Sequence, residues 1–145
     1  MKIVICGSIN FTPQIKQAAD KLVEQGHQVE LPTYTKKIIA GELTLDEFVK
    51  EKEKSGDQSF REKADEDLIK RYYRLIKAAD AILVVNPEKN GVKDYIGGNT
   101  FLEIGFAYVL EKEIYLLNDI PEIGYRDELK AMKPIVLRGD LAKIN

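Results

Sequence analysis

The chain has 145 residues, 22 Lys and Arg against 24 Asp and Glu, a formal net charge of -2 and 44% hydrophobic residues. That length and apolar content suffice for one core without staples, so a single domain spanning 1–145 is expected. The balanced charge excludes nucleic-acid binding by bulk electrostatics. One cysteine and one histidine exclude a disulfide scaffold and a His/Cys zinc set, leaving only an oxygen-ligand magnesium site open.

Only four apolar residues follow Met1-Lys2 before Gly7, too few for a signal-peptide core, and Ala81 to Val85 is too short to span a bilayer. The expected location is the cytoplasm, with no membrane partner. Lys2 to Cys6 reads as a strand, in which Cys6 is a small buried hydrophobe. Thr12-Pro13 then opens a helix with Ile15, Ala18, Ala19, Leu22 and Val23 at helical spacing. Thr12 suits its N-cap, Pro13 its first position and Gly26 the residue just past its end. His27 reads as inert. Gln28 to Leu31 is a second strand, closed by Pro32.

From Gly41 to Lys77 ten acids interleave with nine Lys or Arg, a pattern of helices with solvated faces. Thr44-Leu45-Asp46-Glu47 has capping-box spacing for one helix, and Ser55-Gly56-Asp57 breaks it with a mobile loop. Leu68, Ile69, Tyr72, Leu75 and Ile76 form the stripe of the next. Asp80 to Asn86 is a continuous β-branched run of the kind that a central parallel strand requires. A polar loop runs to Asn99, and Thr100 to Glu111 reads as a helix with Leu102, Phe106, Val109 and Leu110 inward. Ile114 to Leu117 is a fourth strand, Asp127 to Met132 a short helix and Ile135 to Leu137 a fifth strand. Such alternation implies βαβ units, hence an α/β fold on a parallel sheet.

Ligands bind such sheets beyond the carboxyl ends of the strands, where the strand order reverses. Three loops therefore merit attention: Gly7 to Phe11, Asn86 to Asn99, and Asn118 to Gly124. Within the second, Gly97-Gly98 before a helix start leaves N–H groups open to an anion or an electron-rich edge. Glu103 sits one turn in. By spacing alone, Thr100-x-x-Glu103 is equally a capping box, in which the carboxylate reaches back to the N-cap. Gly105 and Ala107 are small enough for a close approach. Ser8 and Asn10 are candidate phosphate or ribose contacts, Phe11 and Tyr34 candidate stacking rings, and Asn118 a candidate polar contact.

The segment Gly97-Gly98-Asn99-Thr100-Phe101-Leu102-Glu103-Ile104-Gly105-Phe106-Ala107 resembles the Thr-x-x-Glu-hydrophobic-Gly-x-Ala signature of the nucleoside 2-deoxyribosyltransferase superfamily, which includes deoxynucleoside 5'-monophosphate N-glycosidases. Gly7-Ser8-Ile9 resembles the Gly-Ser-Ile loop of the monophosphate glycosidases, and Ala79-Asp80-Ala81 the family's entry into the third strand. The segment is also similar to the glycine-rich loop of cytokinin-activating phosphoribohydrolases, with Asn99 in place of their third glycine.

The resemblance implies a flavodoxin-like, doubly wound five-stranded sheet of order 2-1-3-4-5, acting on a nucleoside or its 5'-monophosphate by hydrolysis or deoxyribosyl transfer. It implies Glu103 as nucleophile at C1', and Gly7, Ser8, Ile9, Asn10, Gly97, Gly98, Asn99 and Asn118 as binding positions. It further implies no metal or redox cofactor, and a homo-oligomer whose sites are completed across chains. The sequence departs from the family at two acids, with Gly97 and Tyr72 standing where aspartates are usual. Asp94, Tyr72, Tyr95 and Asp119 remain as candidates for proton transfer. The second reading of the same residues is a non-catalytic nucleotide-binding or sensing module.

Overall fold

The computed structural model describes residues 1–54 and 58–145, with side chains described outside 51–67; the Ser55-Gly56-Asp57 break lies outside the described residues. Five strands form one sheet: β1 Lys2–Cys6, β2 Gln28–Glu30, β3 Ala81–Val84, β4 Glu113–Leu116 and β5 Ile135–Val136. Their order is β2-β1-β3-β4-β5, and every pair is parallel. Among the described residues six α-helices accompany them: α1 Thr12–Glu24, α2 Thr33–Ile39, α3 Leu45–Lys54, α4 Gln58–Lys77, α5 Gly98–Val109 and α6 Arg126–Ala131. This is the expected α/β architecture and strand order. Among the described residues no helix is long and apolar enough to cross a membrane.

Side chains alternate across a strand, and the core divides accordingly. Ile3, Ile5, Ala81 and Leu83 pack on one face with Ile15, Ala18 and Leu22 of α1. Val4, Cys6, Ile82 and Val84 pack on the other with Tyr72 and Ile76 of α4, Ile104 and Ala107 of α5 and Leu129 of α6. β3 is buried along its whole length, as a strand covered on both faces must be. The edge strands are short, three residues in β2 and two in β5, which limits the unpaired edge that each presents. At the amino end, the Asp80 carboxylate accepts from Lys2 N–H at 2.7 Å, so Asp80 holds β1 to β3 at the end of the sheet opposite the loops that follow the strands.

Local chemistry set several boundaries otherwise than expected. A 3-10 turn, Ile9–Phe11, runs straight into α1, so Phe11 occupies the cap and Thr12 the first turn. The Thr12 hydroxyl donates to the Ile9 carbonyl at 2.6 Å instead of capping. α2 was not expected: its residues Thr33, Thr35, Ile38 and Ile39 favour strands, and it forms behind Pro32 without a side-chain cap. The Thr44 capping box does form, with Glu47 N–H donating to Thr44 Oγ1 at 3.1 Å and Thr44 N–H to the Glu47 carboxylate at 3.5 Å.

α5 begins two residues before the expected Thr100, with Gly97 as its cap. Its inner face is Thr100, Ile104 and Ala107, while Leu102 and Val109 are exposed. The stripe expected inside therefore lies partly outside, and only Phe106 and Leu110 of it pack against the core.

Candidate functional site

A cleft of about 680 Å³ opens over the carboxyl ends of β1 and β3, the pair at which the strand order reverses. The loop after β1 supplies Gly7, Ser8, Ile9 and Asn10. The loop after β3 and the start of α5 supply Lys89, Tyr95, Gly97, Gly98, Asn99 and Glu103. Tyr34 and Thr35 of α2, Phe48 and Val49 of α3 and Tyr72 of α4 close the other wall. Of the three loops expected at the site, the first two line the cleft. The loop after β4 does not.

Glu103 is decided by where α5 starts. Gly97 is extended, with φ -80° and ψ 174°, and gives no side-chain cap. The helix thus begins at Gly98, which puts Thr100 in the third helical position, buried, and Glu103 in the second turn. The expected Thr100–Glu103 capping box is not formed, because the two glycines let the chain enter the helix early. The carboxylate lies on the cleft wall against Cys6. Burial pushes it up to about 7 from an ordinary 4.5, while the hydrogen bond from the Cys6 thiol pulls the other way. Burial and the neighbouring Glu103 charge raise the Cys6 thiol well above its usual range, so it stays protonated and donates. Cys6 is buried as expected, and it is also the partner of Glu103.

Tyr72 lines the cleft, but its hydroxyl donates to the Ile5 carbonyl at 2.9 Å. Burial, and then the nearby Cys6 and Glu103, hold this phenol above its normal range. Its proton is committed to the sheet. Asp94 and Asn118 are not brought into the cleft. Asp94 sits at φ 56°, and burial and then the Asp119 charge raise its carboxyl.

Asn118 is clasped to Asn86, a fully buried residue that sequence reading passed over. Asn118 N–H donates to Asn86 Oδ1 at 2.9 Å, and its Nδ2 to the Asn86 carbonyl at 3.2 Å. Asn86 Nδ2 in turn donates to the carbonyls of Asp94 at 3.3 Å and Asp119 at 3.0 Å. This clasp joins the loops after β3 and β4.

The glycines serve different ends. A Cβ on Gly7 would lie 2.9 Å from the Val85 carbonyl oxygen, and one on Gly97 3.3 Å from the Tyr95 ring. Gly7 is thus required by the sheet. Among the described residues, a Cβ on Gly98 or Gly105 would meet nothing within 4 Å, so no close approach there explains Gly105. The N–H groups at the start of α5 have no acceptor one turn back, and no acid stands in its first turn.

Phe11 is buried edge-on against Tyr95 and does not reach the cleft. Tyr34 does, but its ring packs on Phe48 at 4.7 Å with Lys37 Nζ 5.6 Å from its centroid. Lys89 and Thr35 were missed. Thr35 is fully buried and its hydroxyl has no hydrogen-bond partner. Lys89 is set by the turn Asn90-Gly91, a pair legible in sequence as a tight-turn signal. His27 accepts a hydrogen bond at Nδ1 from the terminal ammonium of Met1, remote from the site. Among the described residues no three His, Cys, Asp or Glu are grouped to hold a metal ion.

No family model matches the chain, and no curated protein matches it. Solved structures similar to the chain include the following two. A 2-deoxyribosyltransferase from Bacillus psychrosaccharolyticus is 19% identical over 80% of this chain and 71% of its own, with a TM-score of 0.45. A CMP N-glycosidase, BcmB, from Clostridium botulinum is 19% identical over 94% of this chain and 85% of its own, also with a TM-score of 0.45.

Proposed function

We propose that this chain breaks the N-glycosidic bond of a nucleoside or nucleotide, with Glu103 as the nucleophile. The observation that carries the reading is the state of Glu103: a carboxylate at the ligand end of the sheet, free of the capping role, and raised to about 7 by burial. A side chain that costs stability when charged, in a cleft at the switch point, is the pattern expected of a reacting group.

In the first step a Glu103 carboxylate oxygen bonds to C1' as the C1'–N bond breaks, its electron pair leaving with the base. The base takes a proton from water. In the second step water attacks C1', the ester bond to Glu103 breaks as the carboxylate reforms, and the proton that this water gives up neutralises the hydroxide left by the first, so the sugar departs with a hydroxyl at C1'. With an acceptor base in place of water, the same ester gives transfer. The Cys6 thiol, donating to Glu103, steadies the ionised form for attack.

The segment 97–107 and the loop Gly7-Ser8-Ile9, which carry the resemblance drawn from sequence, both line this cleft in part. One observation favours the alternative of a nucleotide-binding module. Among the described residues Glu103 is the one carboxylate lining the cleft, so no second acid assists the leaving base. General-acid help contributes about 10²–10⁴-fold, so its loss slows such an enzyme without abolishing it.

The test is base release from nucleosides, deoxynucleosides and their 5'-monophosphates by wild type and Glu103→Gln. Release that falls at least about 10³-fold in a folded Glu103→Gln variant is the expected result. No release from any substrate, or release untouched by the substitution, makes the chain a binding module.

A further inference from the structure

Lys89 is the one cation, as Glu103 is the one carboxylate, among the described residues that line the cleft. A lysine at a loop ordinarily leaves its ammonium to solvent; this one is held. Lys89 N–H donates to the Val92 carbonyl and Val92 N–H to that of Lys89, both at 3.0 Å. The turn between them has Asn90 at φ 50° and Gly91 at φ 80°, left-handed at both central positions, which Asn and Gly tolerate best. From that turn the side chain runs along Tyr95, with Nζ 5.1 Å from the ring centroid, and donates to Ser8 Oγ at 3.3 Å. Tyr95 is itself fixed, by its N–H to the Pro87 carbonyl at 3.0 Å and by its edge contact with Phe11.

This charge has no partner of opposite sign among the described residues. Lys89 makes no ion pair with Glu103 or with any other carboxylate among the described residues. The ammonium therefore is not there to balance the nucleophile. It shares the cleft with the Ser8 hydroxyl and with the open N–H groups of α5, so all three present positive or donor character to whatever enters.

Resting on the reading of this cleft as a nucleoside or nucleotide site, we propose that Lys89 makes it selective for a phosphorylated ligand. A 5'-phosphate monoester docks on Lys89 Nζ, with Ser8 and the start of α5 as its further donors. A phosphate monoester carries about -1.5 to -2 at pH 7 and accepts on three oxygens, which matches a cation and several donors better than a ribose hydroxyl does.

The experiment measures dissociation constants of the full chain carrying Glu103→Gln, which leaves bound ligand intact, for nucleosides and deoxynucleosides against their 5'-monophosphates, with inorganic phosphate as a further arm. For the preferred base, the monophosphate is expected to bind at least about tenfold tighter than its nucleoside. Lys89→Met lowers that ratio by about tenfold or more, and Lys89→Arg keeps most of it. Equal binding of both forms, a ratio untouched by Lys89→Met, tight binding of inorganic phosphate with no gain from the nucleoside, or no binding at all overturns the proposal. Equal release of base by wild type from nucleosides and monophosphates would uphold Glu103 and overturn Lys89. Phosphate-dependent binding with no base release by wild type would do the reverse.

Discussion

The loops after β1 and β3 and the loop after β4 stand at the same end of the same sheet and draw on similar polar residues. In the first two, Ser8, Lys89 and Glu103 face a cleft. In the third, Asn118 and the Asp119 carbonyl are tied to Asn86, so their donors and acceptors are consumed inside the chain. A polar side chain beyond a parallel strand is available to a ligand only when the fold has not already satisfied it. Glu103 and Asn118 are both partly buried; what separates them is that one faces a lone thiol and the other a complete set of amide partners.

The comparison sharpens most at Asn86. Asn86→Ala removes three side-chain hydrogen bonds at a fully buried position and opens the clasp between two loops, so unfolding free energy should fall by about 2–4 kcal/mol in denaturant titration. Asn118→Ala, with the backbone N–H bond to Asn86 retained, should cost about 1 kcal/mol and change any activity less than about threefold. A strong activity loss in a stable Asn118→Ala protein would break the division between the two regions.

The next effect is the pH dependence of Glu103. Its folded value lies above its ordinary one, so between pH 4.5 and about 7 the folded state binds more protons than the unfolded state. The group's contribution is thus most favourable below pH 4.5 and is lost as pH rises through about 7. Relative to wild type, Glu103→Gln should gain roughly 2–3 kcal/mol between pH 5 and 8. Activity runs the opposite way. Attack needs the ionised form, so kcat/KM should fall about tenfold per pH unit below 7. Stability of Glu103→Gln that tracks wild type at every pH would return Glu103 to the class of satisfied polar residues.

Two smaller effects contrast satisfied and unsatisfied threonines. Thr44→Ala breaks a formed capping box and should cost about 1 kcal/mol in thermal unfolding. Thr35→Val deletes a buried hydroxyl that has no partner and fills the same volume, so it should be neutral or raise stability by up to about 1 kcal/mol. A loss on Thr35→Val would mean that this hydroxyl is satisfied after all.

Much of the fold was legible in the sequence. The β-branched run at Ala81 to Val85, the apolar run before Gly7 and the cap at Thr44 each express a local preference, and each stands as read. α2 was not legible, because its β-branched residues argue against a helix and only packing beside α1 and the cleft supports it. The inner stripe of α5 was misplaced because the helix is apolar on more than one side: 100, 104, 107 and 102, 106, 109 have the same helical spacing, and only packing against the sheet decides which set is buried.

Sequence by itself determined the five strands and every helix except α2, the parallel arrangement through βαβ alternation, and the two loops that meet at the switch point. These follow from interactions between residues a few positions apart. Tertiary structure decided which polar groups remain unspent. Asn86 meets Asn118 across 32 positions, Lys89 meets Ser8 across 81, and the Tyr72 hydroxyl donates a hydrogen bond to the Ile5 carbonyl across 67. Hydrogen bonds over such separations depend on strand register and loop closure, which no local pattern encodes. The same physics engages the Tyr72 hydroxyl and Asn118 within the chain, keeps Asp94 out of the cleft lining, and leaves Glu103 and Lys89 in it.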